Sequence, residues 1–230
     1  MKSEAIAVVG IAISSILPTL AYGQGAPMQL QPPKAAPAAA AISRAAAPPK
    51  LASQDAVTLV KKANAWLNAT ATMIGDFSQI GADGKRTTGK LYVQKPGMLR
   101  FEYAAPAVLE ITADGTSVAV RNRKLATQDE YFISQTPLKF LLKSEIDLAR
   151  DTKILDVTQT ANATTILIED KATFGGTSRI KLILDPQSSA LRQWAVTDPQ
   201  GFETLVSLAN VDFKTKPNPG LFKINRERFN

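Results

Sequence analysis

The chain has 230 residues, with 27 Lys and Arg against 20 Asp and Glu, and neither His nor Cys. Without Cys there is no disulfide framework, thiolate nucleophile, iron–sulfur cluster or Cys-ligated zinc. Without His there is no Ser-His-Asp or Cys-His couple and no imidazole base. Carboxylates alone make a poor set for zinc or copper, so no metal or other cofactor is expected. A carboxylate pair or a Ser-Lys couple needs neither missing residue, but the usual routes to an enzyme are closed and a binding protein is favoured.

Residues 1–23 read as a secretory signal: Lys2 opens it, Ala5 to Leu20 is apolar, and Ala21-Tyr22-Gly23 places small residues for cleavage. A retained membrane anchor is the alternative. The apolar run is broken by Ser14, Ser15 and Pro18 and falls short of the ~20 apolar residues of a span. With no Cys after it, the mature chain cannot be acylated as a bacterial lipoprotein, and it is expected to be soluble outside the cytoplasm. Residues 24–51 are dominated by Ala, Pro and Gln. They have too little large apolar surface to offset chain entropy, so a disordered linker is expected. Of the formal +7, Lys34, Arg44 and Lys50 carry three with no acid beside them, Lys2 and Glu4 cancel, and residues 52–230 carry the other four. Arg121, Arg123 and Lys124 form the one dense basic cluster and Asp129 and Glu130 soon follow; nucleic acid is not indicated as a partner.

Residues 52–230 make one domain. It opens with a helix over 53–70, where Ala56, Leu59, Val60, Ala63, Trp66, Leu67 and Thr70 recur at helical spacing, Ser53 stands as N-cap, and Gly75 ends the register. The period then becomes two. Leu91, Val93 and Lys95 share one face, Pro96-Gly97 turns the chain, and Leu99, Phe101 and Tyr103 alternate against Met98, Arg100 and Glu102, a hairpin. Similar segments follow at 108–112, 117–122, 125–132, 154–160, 164–170, 179–184, 192–197 and 204–213, with turn residues such as Asp114-Gly115, Gly175-Gly176 and Asp185-Pro186 between many of them. Thr136 to Leu142 breaks the series as a short helix with Pro137 in its first turn. Strands without interleaved helices make an antiparallel meander.

The predicted fold is therefore mainly β: an incomplete antiparallel barrel of about ten or eleven strands, its apolar face covered by helices. Phe77, Leu91, Val93, Leu99, Phe101, Leu109, Ile111, Ile168, Leu182 and Trp194 point to that face. Leu138, Leu141 and Leu142 come from the short helix, where Phe140 also lies. Periodicity leaves open whether these residues line a cavity or fill a solid core.

The stretch Asp76-Phe77-Ser78-Gln79, then Gly89-Lys90-Leu91-Tyr92-Val93-Gln94-Lys95-Pro96-Gly97-Met98-Leu99-Arg100-Phe101-Glu102-Tyr103, resembles the signature of the LolA family of periplasmic outer-membrane lipoprotein carriers. Pro106, Asp114-Gly115, Thr136-Pro137-Leu138, Leu191-Arg192-Gln193-Trp194, Asp198-Pro199-Gln200-Gly201 and Leu221-Phe222 continue it in order, over about residues 54–226. The resemblance implies an open barrel whose apolar cavity holds acyl chains under a helical lid, and it tips cavity-or-core toward cavity. It also implies the role: a monomeric, non-enzymatic periplasmic chaperone. Such a carrier takes triacylated lipoproteins from an inner-membrane ABC transporter and hands them to an outer-membrane acceptor or to the outer membrane directly.

In some carriers of this family an Arg before the hairpin Pro bonds lid-helix carbonyls. Here Lys95 holds that position, which makes it a candidate lid latch with a point charge in place of a planar fork; a solvated turn residue is the plainer reading. Arg100 is expected to pair with Glu102 or a neighbouring strand, and Trp66 and Trp194 to pack. A general lipid-binding or envelope-sensing protein of the same fold is the alternative function. A hydrolase built on Glu102 and Glu110 is a more distant one, with no spacing to support it.

Overall fold

The computed structural model describes residues 53–226, so the expected signal at 1–23 and linker at 24–51 lie outside the described residues. Helix α1 runs Ser53–Ala69. Leu59, Val60, Ala63 and Leu67 are its buried side chains, and Ala56 and Trp66 flank them partly buried, the stripe that the spacing predicts. The cap at Ser53 lies outside the described side chains.

The helix ends earlier than Gly75. A strand, β1 (Thr72–Ile80), begins three residues after Ala69, and Gly75 sits inside it opposite Leu91. A Cβ there would stand 3.2 Å from the Ala209 carbonyl, so this glycine serves close strand packing, where the sequence reads as a helix stop.

Ten further strands follow: β2 (Arg86–Gln94), β3 (Met98–Tyr103), β4 (Leu109–Asp114), β5 (Ser117–Asn122), β6 (Thr127–Phe132), β7 (Lys153–Gln159), β8 (Thr164–Thr173), β9 (Gly176–Leu184), β10 (Leu191–Thr197) and β11 (Glu203–Asp212). They make one antiparallel sheet in the order β6-β5-β4-β3-β2-β1-β11-β10-β9-β8-β7. Two meanders are thus joined by the β1–β11 pair. The edges β6 and β7 do not pair, and the barrel is open. Burial alternates along β1, β2, β3 and β8, so one face of the sheet is apolar and the other polar.

The connection from β6 to β7 supplies the remaining cover. A 3-10 turn (Ile133–Gln135) leads to α2 (Lys139–Leu142), within the predicted 136–142. A further helical turn, α3 (Leu148–Asp151), is capped by the Asp147 carboxylate, which accepts from the Ala149 and Arg150 N–H groups. Four residues, Leu148 to Asp151, are too few for a periodic signal, and the Asp before α3 is its one mark. The predicted strand at 125–132 begins at Thr127, because Ala126 takes a left-handed turn conformation with φ 50°.

Candidate functional site

The apolar face of the sheet meets α1 and α2 in one cluster. Of the predicted lining residues, Phe77, Leu91, Val93, Leu99, Phe101, Ile111, Leu138, Leu141, Leu142, Ile168, Leu182 and Trp194 are buried in it, and Leu109 packs partly buried against it. Its centre is aromatic. Phe77 meets Phe101 and Tyr103 edge-on at 5.0 and 5.1 Å between ring centres. Trp194 joins Phe101 at 6.4 Å to Phe140 of α2 at 6.1 Å. Tyr103 is buried, and its hydroxyl donates to Gln79 Oε1 at 2.8 Å; burial holds its pKa far above the usual tyrosine range.

Open space lies elsewhere. A pocket of about 360 Å³ runs between the first turns of α1 (Ala56, Val57, Val60, Lys61, Asn64) and the α3–β7 edge (Asp147, Ala149, Ile154, Val157). Its floor is aliphatic, and Lys61, Asn64 and Asp147 are its polar members. None of the residues predicted to line a cavity borders it; the signal for it was the apolar stripe of α1 continuing to Ala56, whereas Ile154 and Val157, three residues apart, share a side only through the irregularity of β7 between Ile154 and Asp156.

Three sets of polar contacts hold the cover down. The turn Lys95-Pro96-Gly97 touches both helices. Lys95 Nζ donates to the Leu67 carbonyl at 2.5 Å, and its backbone N–H donates to Ala71. Gly97 N–H donates to the Leu142 carbonyl of α2 at 2.9 Å. The last carbonyls of a helix lack internal partners and attract cations, and α1 has no basic residue in its own last turn. Lys95 supplies one from the sheet. Gly97 has φ +77°, and a Cβ there would stand 2.6 Å from the Gly115 Cα, so only glycine lets this turn seat against its neighbour.

Asn64 and Asn68, four residues apart on α1, form the second set. Asn68 exchanges two hydrogen bonds with Ile146, Nδ2 to the carbonyl at 2.9 Å and N–H to Oδ1 at 2.8 Å. Asn64 accepts from the Leu148 N–H and donates to Asp147. The third set is ionic and buried. Lys139 of α2 meets both oxygens of Asp170 on β8, at 2.7 and 2.9 Å, and the Ala172 N–H donates to the same carboxylate. The Lys95 face was legible in the sequence, and its side chain lies against the Leu67 carbonyl; the other two sets were missed. Two Asn at i, i+4 on an otherwise apolar flank were the available signal for one; the Lys139–Asp170 pair joins distant segments and left none.

Burial pulls Lys95 down to about 8 from 10.5. Between those values the folded chain has lost a proton that the unfolded chain keeps. Stability should therefore rise with pH from about 8 to 10.5, while below about 8 the full penalty of burying the ammonium is present. Lys95→Met is expected to abolish that rise, read as the unfolding midpoint against pH. It should also speed amide exchange in the last turn of α1 about tenfold or more, since a hydrogen bond from a charged donor contributes ~1.5–3 kcal/mol. Equal exchange in both proteins would show that Lys95 holds nothing.

The outer face carries the remaining charged candidates. Arg100 pairs with Glu110 on β4 at 2.6 Å and donates to the Leu221 carbonyl, a partner on the neighbouring strand as expected. Glu102 stands opposite Glu110 in register and accepts from the Tyr92 hydroxyl. Both carboxylates are engaged on the polar face, away from the pocket. Among the described residues no cluster of acids is arranged to hold a metal ion, and no helix is long and apolar enough to cross a membrane.

The family model described as outer membrane lipoprotein carrier protein LolA matches residues 68–225, more than half of the chain. The chain belongs to the LolA family. Its signature residues turn out to be mates in space: Phe77, Gln79, Gly89 and Tyr103 lie on three adjacent strands, two of them joined by the Tyr103–Gln79 bond. No curated protein sequence matches this LolA-family chain. Among solved structures it is similar to a LolA superfamily protein from Nitrosomonas europaea, at 9% identity over 74% of this chain and 97% of that one, TM-score 0.43. It is also similar to the Mycobacterium tuberculosis lipoprotein LppX, at 6% identity over 72% and 99%, TM-score 0.41. Against the Pseudomonas aeruginosa MucA/MucB complex the values are 12% over 74% of this chain and 61% of that one, TM-score 0.38.

Proposed function

We propose that this LolA-family chain is a periplasmic carrier that shields the acyl chains of triacylated lipoproteins between an inner-membrane ABC transporter and the outer membrane. On this reading residues 1–23 are removed on export and 24–51 are a spacer to the carrier domain. The observation that supports it is the cover. Two helices lie on an apolar face of an open sheet, and one turn, Lys95-Pro96-Gly97, bonds both of them. Lifting the helices parts a few hydrogen bonds, the buried Lys139–Asp170 ion pair and the apolar packing beneath, but no strand pairing.

The task needs no bond chemistry. Each acyl CH₂ taken from water is worth ~0.8 kcal/mol, so an apolar face that opens is sufficient to drive loading. Opening would start at the pocket between α1 and β7, where the cover already stands off the sheet. As the helices lift, the buried Phe77, Leu91, Val93, Leu99, Phe101, Leu109, Ile111, Ile168, Leu182 and Trp194 would take acyl chains in place of Leu138, Leu141 and Leu142. Lys95 would act as the latch.

Native mass spectrometry of the protein purified from its source tests the reading. Co-purified triacylated lipoprotein supports the carrier, and a free lipid in its place supports the general lipid binder. Filling the pocket with Ala56→Trp is expected to lower the loaded fraction about tenfold, a loss of ~1.4 kcal/mol of binding, with the unfolding midpoint nearly unchanged. Full loading of that variant would remove the pocket from the route.

A further inference from the structure

Five loops share one rim of the barrel, as the antiparallel order requires: the β1–β2, β3–β4, β5–β6, β8–β9 and β10–β11 connections. Neighbours along it touch. A Cβ on Gly176 would lie 3.4 Å from Pro199, β1 and β11 end together at the Ile80–Leu205 pair, and Arg123 donates to the Ala107 and Val108 carbonyls.

Three of these loops present a large apolar side chain to solvent: Leu125 at 50%, Phe174 at 49% and Phe202 at 50% exposure. They are held there. Phe174 leans on Tyr131 with 5.7 Å between ring centres, and its N–H donates to the Gln135 carbonyl. The Phe202 loop is tied by the Asp198 carboxylate, which accepts from the Gln200 and Phe202 N–H groups and is itself buried. Ordering such tips on a partner therefore costs little chain entropy.

Charge says which partner. Arg123 and Lys124 immediately precede Leu125, with no acid in that turn, and Lys171 and Arg179 flank Phe174. All four are exposed, and Arg179 stands 3.9 Å from Glu169, the long end of ion pairing. Single exposed apolar residues need no explanation. Two of the three tips have cations beside them, while Phe202 is followed by the exposed Glu203, 4.0 Å from Lys181; apolar tips with such cations fit a lipid surface, where the tips enter the headgroup boundary and Lys and Arg stay with anionic headgroups. We propose that this rim is a docking surface for an anionic phospholipid bilayer. The proposal does not rest on the carrier reading, since a chain that carries no lipoprotein would dock by the same contacts.

The absence of Cys makes the test clean. Leu125→Cys, Phe174→Cys, Phe202→Cys and, on the opposite rim, Asn162→Cys in the full chain each take one nitrobenzoxadiazole fluorophore. Residues 1–52 are common to all four, so differences report the labelled site. On vesicles of phosphatidylethanolamine and phosphatidylglycerol the first three probes should brighten and shift to the blue while the fourth stays as in buffer. Phosphatidylcholine vesicles should give a weaker response. Lys124→Gln in the Phe202→Cys background should raise the half-saturating lipid concentration about fivefold. Silent rim probes, an equal response at position 162, or an unmoved Lys124→Gln titration would overturn the proposal. Rim probes that respond in a protein without bound lipoprotein would uphold it while the carrier reading fails.

Discussion

Asp170→Ala is expected to destabilise the domain by about 3–5 kcal/mol, because it leaves the Lys139 ammonium buried with no counter-charge. Lys139 and Asp170 have side chains 11% and 4% exposed, and the carboxylate takes the ammonium through both oxygens. Attraction in such a place roughly repays desolvation and no more, so the pair adds little net stability while intact. Removing one member is a different matter. In a domain of this size a loss of that order lowers the unfolding midpoint by about 10 °C. Replacing both, Lys139→Met with Asp170→Leu, should recover most of it. The functional sign is also fixed: Lys139 begins α2, whose Phe140, Leu141 and Leu142 close the aromatic centre, so Asp170→Ala should expose that face and raise binding of a hydrophobic dye. Thermal unfolding and dye fluorescence of the two variants check both statements, and a double variant as unstable as the single one would contradict them.

Gly89→Ala should cost about 3 kcal/mol, the upper end of what overpacking costs. Gly89 on β2 lies opposite Tyr103 on β3. A Cβ at Gly89 would stand 2.0 Å from the Glu102 carbonyl oxygen and 2.8 Å from Phe77 Cε1. The ring contact is one that a smaller side chain relieves; the carbonyl belongs to the β3 backbone, so the two strands must part. The backbone clash dominates. Phe77→Leu placed in the Gly89→Ala background is therefore expected to restore little. Denaturant titration of the single and double variants measures this, and full restoration by Phe77→Leu would place the conflict at the ring.

That glycine shows how a signature becomes structure. As sequence, the spaced Phe77, Gln79, Gly89 and Tyr103 are a pattern; in the fold Gly89 clears the space that the Phe77 ring and the β3 backbone fill, and Gln79 satisfies the one polar atom of a buried Tyr103. Lys95 was legible for a related reason. It continues the Leu91/Val93 face by one further step of two, so its side chain emerges on the helix side and reaches Leu67.

Alternation of period two and a helical stripe are local properties, so the amino-acid sequence by itself determined the mainly β class, most strand positions, the apolar face and the stripe of α1. Gly75 misled because a glycine marks either a helix stop or a close strand contact, and only the neighbouring Ala209 and Val211 decide which. The Lys139–Asp170 pair joins segments far apart in the chain, so no local pattern records it; Asn64 and Asn68 stand out at i, i+4, but their partners at 146–148 do not. The void is the plainest case. Alternation tells which side chains face inward, but the space left among them depends on how far α1 stands from β7. That separation is set by contacts between distant segments, and tertiary structure alone puts the open volume beside Ala56 and Ile154 and closes the aromatic centre around Phe101.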